Sequence, residues 1–528
     1  MSGPRDIDNV QADVLVIGGG PAGCWAALTA RAAGARVVLV DKGYVGTSGA
    51  TPPTNSTVHA LSLHDERQRR GLIETRTQTG APFAEAEWIE RVYEQTARNL
   101  QWLTDWGYVW PLNEQGRQFR GNLRGPDYML FLRNRLLAMG VTVLDHAPAL
   151  ELLRAGDDIV GARGVRRETG RTWQVSAGAV VLATGGATFR SGAVGTFNLT
   201  GDGHLMALEA GARCSGMEFS GNYAFAPAAG GLTKGIIYRS ATFSDEQGEV
   251  IPRPRVMRAL SQGLRVFAVL DKADPYLADG YRHGQVNIFT YFDRLGGNPF
   301  VDRYEIRAYF EGTLRAAGGV LADDAGASGT PGLFIAGDMA SRERLAGGGS
   351  SGGGPASSWA IASGTFAGRA AARHTLSHRE SPHARSAHGL ARVTGSLDYA
   401  EALSVIHGAM LPLERSFFRH ADGLARSRDE LDALWRRLHE APVRDTPTDA
   451  RDAARHATRQ RELAAMIATG RVIVASALAR EETLGLHRRE DFPDAAPNVP
   501  HHVRSAGLDD IRVWREAPRG LTTEVAPA

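Results

Sequence analysis

Residues 13–41 read DVLVIGGGPAGCWAALTARAAGARVVLVD, and this stretch decides the fold. DVLVI is a short apolar run that ends in glycines. CWAALTARAAG then has helical spacing stopped by Gly34, and RVVLVD is a second apolar run closed by an acid. Strand, glycine turn, helix and strand make a βαβ unit. Gly18, Gly20 and Gly23 form GxGxxG between strand and helix, and Asp41 follows 18 residues after Gly23. The first glycine permits the tight turn, the second lets a pyrophosphate reach backbone, and the third lets helix and strand pack closely. The phosphates would lie at a helix N-terminus, where unpaired N–H groups favour anions, and Asp41 would accept the ribose hydroxyls.

The rest of the chain limits the alternatives. It has 528 residues, 43% hydrophobic and 22% charged, with a formal charge of +2, enough for two or three packed units. Three lysines, Lys42, Lys234 and Lys272, stand among 60 basic residues, and 58 acidic residues balance them. Nucleic acid is therefore a poor expectation as a partner. The N-terminal residues show no signal segment and no stretch reads as long and apolar enough to span a membrane, so the expectation is a cytoplasmic protein. Cys24 and Cys214 lie far apart with no CxxC, so this chain offers neither a disulfide framework nor a metal site, and any iron–sulfur centre would belong to a partner.

Along the chain, Trp88, Ile89, Val92, Tyr93, Leu100 and Leu103 recur at helical intervals within 84–104, and a second helix near 128–139 leads into VTVLDH, a further parallel strand. Residues 149–183 read as short strands in a meander that ends in AVVLATGG, followed by a turn and helix in TGDGHLMALEAGA. Mixed composition over 216–330 suggests an inserted unit. PGLFIAGD at 331–338 returns to the buried-strand pattern, and helical spacing dominates beyond about 395, with a frayed end after about 515.

GxGxxG alone does not separate NAD from FAD. AVVLATGGA at 179–187 and GLFIAGDMA at 332–340, in that order, indicate FAD, since both are buried strands stopping at small residues, the second with Asp338. Pro21, Ala22, Lys42, Gly43, Ser48, Gly49, Ala183, Thr184, Gly185, Asp202 and Gly337 join Gly18, Gly20, Gly23, Asp41 and Asp338 as candidate FAD contacts.

With VLVIGGGPAGCWAALTARAAGARVVLVDKG, VVLATGG, TGDGHLMALEAGA, MEF at 217–219, PGLFIAGDMA and REETLGLHRREDFP at 480–493, the chain resembles the flavoprotein subunits of succinate dehydrogenase and fumarate reductase. L-aspartate oxidase and the α subunit of adenylylsulfate reductase are relatives of these. The resemblance implies an α/β fold: a two-dinucleotide-binding, Rossmann-like FAD domain over 1–215 and 331–375, an inserted α+β capping domain over 216–330, a helical C-terminal domain over 376–515 and a tail over 516–528. It implies an FAD-dependent oxidoreductase in which flavin N5 exchanges a hydride with a small, anionic, carboxylate-type substrate.

The same resemblance gives AGGGSSGGGP at 346–355 a place. It is expected to enter a helix whose N-terminus faces the flavin, with Gly348 and Gly349 keeping side chains away, rather than to be a linker. Arg253, in an R-x4-R stretch with Arg258, matches the family's proton donor, and Arg344 matches its carboxylate clamp, with Arg342 as a neighbour. Departures accompany these matches. Tyr223 stands nearest one family histidine and Leu314 replaces another, while His59 lies too far along to match the histidine that tethers FAD. The implied reading is noncovalent FAD and a substrate other than plain succinate or fumarate. Arg307, Tyr309 and Glu311 either line a site from the capping domain or mark an amphipathic helix. One alternative is an adenylylsulfate-reductase-like subunit with a ferredoxin-type partner, and another is a non-catalytic electron-transfer subunit.

Overall fold

The computed structural model describes all residues except 1–6, 63–64, 113–115, 234, 350–351, 378–386, 393–394, 443–446, 494–499 and 519–528. The quoted stretch folds as β1 (Ile7–Ile17), α1 (Pro21–Ala32) and β2 (Val37–Val40). The two strands pair in parallel with Val14 opposite Val37, and every residue of β2 is buried. An all-apolar run covered on both faces is what a parallel sheet demands. The sheet extends through β3 (Thr142–Leu144) beyond β2, and on the other side of β1 through β6 (Thr172–Leu182), both parallel. The start of β6 also pairs antiparallel with β5 (Asp158–Val165), which pairs with β4 (Ala149–Ala155), so the meander is a flange on the nucleotide sheet. The end of β6 pairs in parallel with β13 (Leu333–Ile335), which brings a segment 150 residues downstream beside the first turn.

Helix α5 (Gly353–Ser377) covers this sheet, α3 (Gly125–Ala138) packs at its β3 edge, and α2 (Ala86–Asp105) packs on α5. Helix α5 lies against α1 at backbone contact: a Cβ on Gly364 or Gly368 would stand 2.2 Å from the carbonyl oxygen of Ala22 or Ala26. Glycines four apart share one helix face, so the pair sets this close approach.

Between the two parts of the nucleotide fold, β8 (Asn222–Pro227), β9 (Thr242–Ser244), β10 (Val266–Val269) and β11 (Tyr304–Gly312) form an antiparallel sheet in the order β8-β11-β10-β9. Helices Arg253–Ser261, Pro275–Gly284 and Val286–Leu295 pack on it, and a separate apolar cluster from Ile237 to Ile306 gives it its own core. Arg307, Tyr309 and Glu311 therefore lie on a strand, not a helix, and their spacing of two puts them on one face.

The C-terminal part is built around α6 (Ala450–Ala479), 30 residues long. It is long and apolar enough to pass for a membrane span, which corrects the sequence expectation that no stretch is, but 83% of its apolar window is buried inside the protein. Helix α6 packs on α4 (Asp202–Glu209), where Arg461 and Glu209 form a buried two-pronged pair. Helical periodicity did not reveal the final strands. β14 (His502–Ala506) and β15 (Arg512–Glu516) pair with each other, and β14 joins β7 (Cys214–Ser215) and β12 (Gly319–Val320) in a small sheet that ties the chain's end to its middle.

Candidate active site

The carboxyl ends of β1, β6 and β13 open on one cleft with about 1430 Å³ of empty space, counting its mouth. Ligands in open α/β sheets bind at this end of the strands. The three motif glycines do different work there. Gly18 has φ +108° and a Cβ on it would lie 2.4 Å from Ala183 O, so only glycine makes that turn. A Cβ on Gly23 would lie 1.8 Å from Gly18 O, so Gly23 allows α1 to start against its own turn. A Cβ on Gly20 would meet no protein atom within 4 Å: that position faces the open cleft. Pro21 begins α1 where its missing N–H costs nothing, and with Ala22 it lines the same wall.

Asp41 is a hub. Gly19 N–H donates to its Oδ2 at 2.7 Å, while Gly43 N–H and the Ser48 hydroxyl donate to Oδ1 at 2.7 Å each. A carboxylate has about four acceptor positions, so these three bonds leave one for a ligand hydroxyl. Gly43 stands behind, with Ser48 Cβ 2.7 Å from where its Cβ would be, and Ser48 and Gly49 line the cleft. Lys42 also lines it, but its ammonium donates to Thr200 Oγ1 and Asp202 at 2.7 Å and to Glu462 at 2.9 Å. Those three bonds use all three of its hydrogens. Burial works against the charge, but the two carboxylates outweigh it and hold Lys42 above its ordinary pKa.

Ala183, Thr184 and Gly185 end β6 on the cleft, and Gly337 and Asp338 end β13 there. Asp338 pairs with Arg342, whose side chain is wholly buried and whose Nε donates to Ala316 O at 2.6 Å. Lining residues with no motif complete the walls: Asn55 and Ser56, the Ala147–Ala149 segment, and Ala356, Ser357, Ala360 and Ile361 on the first turns of α5. In the sequence only the small residues three and four apart in ASSWAI hinted at the last group.

The residues expected to handle the substrate lie elsewhere. Arg253 is exposed on the inserted unit and donates to Tyr238 O at 3.2 Å, because its helix turns Val256 and Ala259 inward. Arg344 lies over the Trp88 ring, 4.4 Å from its centroid, and bonds Glu85 and Asp324, so it fastens the start of α2. Tyr223 donates to Leu411 O at 2.9 Å, with its ring against Phe310 and Phe417. None of the three lines the cleft.

Gly348 and Gly349 do not line it either. A Cβ on Gly348 would come 2.7 Å from the Phe219 ring, and Gly348 O accepts from Leu486 N–H at 2.9 Å. Bare backbone is indeed approached closely in the glycine run, but by the Gly485–Leu486 turn of the REETLGLH stretch and by Phe219 of MEF. Ser350 and Ser351 of that run lie outside the described residues. Behind this contact Arg480 donates to Glu218 at 2.8 Å, and burial pushes the Glu218 carboxyl up to about 7 against the pull of Arg480. His59 packs on Gly354 and edge-on to Tyr93, beside the cleft-lining turns of α5 but not in the lining itself, and burial brings its pKa down to about 4. Among charged residues, the one lining the cleft that sequence reasoning missed is Arg315.

The family model described as FAD binding domain matches residues 13–230, and the model described as fumarate reductase flavoprotein C-term matches residues 410–510. The chain belongs to the succinate dehydrogenase and fumarate reductase flavoprotein family. It is similar at 27% identity to L-aspartate oxidase of Mycobacterium tuberculosis, across 97% of this chain and 98% of that protein. The fumarate reductase flavoprotein subunit of the same organism is 25% identical, across 92% of each chain. Among solved structures, quinol fumarate reductase FrdA of E. coli superposes with a TM-score of 0.81 at 19% identity, covering 99% of each chain. Adenylylsulfate reductase of Archaeoglobus fulgidus gives 0.75 at 19%, covering 99% and 98%. At such identities these structures speak for the fold alone. As a member of this flavoprotein family the protein is an FAD-dependent oxidoreductase. The cleft suits FAD: Gly20 leaves its wall bare, the N-terminus of α1 opens on the cleft, where it would favour a phosphate, and Asp41 keeps an acceptor position.

Proposed function

We propose that the protein exchanges a hydride between FAD and a small carboxylate-bearing substrate other than plain succinate or fumarate, with FAD held noncovalently. One observation carries this reading. A single cleft runs from the nucleotide turn at Gly18–Ala22 to Leu314 and Arg315, which among the described residues are its only lining residues from 216–330, so cofactor and substrate share one space. The names of the full-length relatives, aspartate oxidase and fumarate reductase, support a carboxylate.

In this reading the N–H groups of the α1 turn hold the pyrophosphate, Asp41 takes the ribose, and Gly337 and Asp338 flank the middle of the cofactor. Bound FAD supplies the hydride-accepting or hydride-donating centre. The first turns of α5 bring the positive end of a 25-residue helix to the cleft, where it favours negative charge on the reduced cofactor. Leu199, Leu314 and Ile361 form apolar wall that keeps water from the reacting atoms. That His59 is not among the residues lining the cleft supports noncovalent binding. A cytoplasmic location belongs to the same proposal.

Anaerobic photoreduction followed by a panel that includes iminoaspartate, oxaloacetate, fumarate and 2-enoates tests it through return of the oxidised flavin spectrum. No response to any organic acid would count against it. The 0.75 likeness in fold to adenylylsulfate reductase keeps a second reading, a subunit with a ferredoxin-type partner. Reoxidation by adenylylsulfate with release of AMP would favour that one. Copurification with a small cysteine-rich protein, without turnover, would favour an electron-transfer subunit.

A further inference from the structure

Carboxylates stand on the walls of a cleft that has to accept the anionic pyrophosphate of FAD. Among the described lining residues the acids are Asp41, Asp202 and Asp338, and the basic groups are Lys42 and Arg315. Each charge can be followed to its partner. Lys42 is held by Asp202 and Glu462, and Arg315 pairs with Glu311, which is 1% exposed. Asp41 takes its bonds from neutral donors, the Gly19 and Gly43 N–H groups and the Ser48 hydroxyl. Asp338 pairs with Arg342 and with no other cation among the described residues.

Arg342 is not itself part of the lining. Its side chain is 0% exposed, whereas that of Asp338 is 21% exposed where it meets the cleft. The main-chain N–H of Arg342 donates to Ala317 O at 2.8 Å and its Nε donates to Ala316 O at 2.6 Å, next to the lining pair Leu314 and Arg315. These bonds fix the guanidinium under the wall with one end of its fork on Asp338. Its Nη2 is buried without a hydrogen-bond partner.

A guanidinium sealed from water with a hydrogen bond unmade is unfavourable for the fold, and an apolar side chain of similar volume often replaces a buried ion pair without loss of stability. Folding therefore gives little reason for an arginine at this position. The cleft gives a better one. Charges interact more strongly where water is displaced than in bulk solvent, so an uncompensated Asp338 would repel an anionic cofactor most when the cofactor fills the cleft.

We propose that Arg342 is a positioning residue for the cofactor: from beneath the wall it cancels the charge of Asp338 and fixes its carboxylate, so that Asp338 can face FAD as an acceptor of hydroxyl groups. The inference rests on the placement of FAD proposed above, with Asp338 beside the middle of the cofactor.

Titration of apoprotein with FAD, followed by flavin fluorescence, tests it, and urea unfolding of each apoprotein verifies that folded material is being titrated. In Arg342→Met water can hydrate Asp338 in the apoprotein, but FAD displaces that water, so FAD should bind about 10- to 100-fold more weakly. Arg342→Lys keeps the charge and should recover part of the loss. The double variant Asp338→Asn with Arg342→Met removes both charges and leaves an acceptor oxygen, and it should bind FAD at least about fivefold more tightly than Arg342→Met. An arginine that served only to clamp Ala316 and Ala317 would leave the double variant as weak as the single one.

A loss in Arg342→Met that the double variant does not relieve would overturn the assignment alone. FAD affinity untouched in both would show the cofactor lying away from Asp338 and overturn the placement together with the assignment. Should Arg342→Met not fold, the double variant decides: FAD affinity within about tenfold of wild type upholds the assignment and a larger loss refutes it. Failure of the wild type to turn over any carboxylate, with FAD affinities in the expected order, would count against the proposed function and leave the role of Arg342 standing.

Discussion

Replacing Gly20 by valine separates folding from cofactor binding. Gly20 has φ −71° and ψ −179°, extended backbone open to any residue, and its Cβ direction is empty to 4 Å. The substitution therefore adds no backbone strain and no clash in the apoprotein. It does put three carbons over the N–H groups at the start of α1, where the pyrophosphate is proposed to rest. Losing two charge-assisted hydrogen bonds at about 1.5–3 kcal/mol each weakens FAD binding by about 3–6 kcal/mol, or roughly 10²- to 10⁴-fold. Urea unfolding of the apoprotein and FAD titration by flavin fluorescence measure the two quantities separately. The expected result is a wild-type urea midpoint with FAD affinity lost. Gly23→Ala is the control, because its methyl would stand 1.8 Å from Gly18 O and should lower apoprotein stability by about 1–3 kcal/mol. A Gly20→Val protein that binds FAD as tightly as wild type would refute the placement of the phosphates at this turn.

Gly348→Val should lower the thermal midpoint by crowding the Phe219 ring, while the folded fraction keeps its FAD affinity; colourless but fully folded material would show instead that the glycine run touches the cofactor. His204 is buried with both ring nitrogens unpartnered, and burial brings its pKa down to about 4 from 6.5. The unfolded chain thus binds the extra proton first as pH falls, so the stabilising contribution of neutral His204 is complete above about 6.5 and lost towards 4. His204→Leu should flatten the pH dependence of the thermal midpoint across that window, and an identical slope would exclude this group. Glu209→Ala strands Arg461 and should cost about 3–5 kcal/mol by urea unfolding, whereas a loss under about 1 kcal/mol would mean that water already reaches the pair.

The nucleotide-binding half was legible because its signals are local. The turn at Gly18–Gly23, the acid at Asp41 and the strand ends at Ala183–Gly185 and Gly337–Asp338 are each defined by a few consecutive residues whose backbone geometry demands particular residue types. The substrate side was not. Arg253 and Arg344 matched by spacing, yet their neighbours Val256, Trp88, Glu85 and Asp324 turn them to the surface or into structural pairs. The same applies to the glycine run, whose bare backbone was evident in the letters while the Gly485–Leu486 turn that lies on it comes from more than a hundred residues away.

By itself, then, the sequence determined a βαβ nucleotide fold, FAD and the family, since these follow from short-range patterns of size, polarity and permitted φ. Tertiary structure alone decided which of many arginines enters the cleft. A side chain's direction depends on the packing of every element around it, and the left-handed turn at Arg315, with φ +59°, leaves no mark in GTLRAAGG.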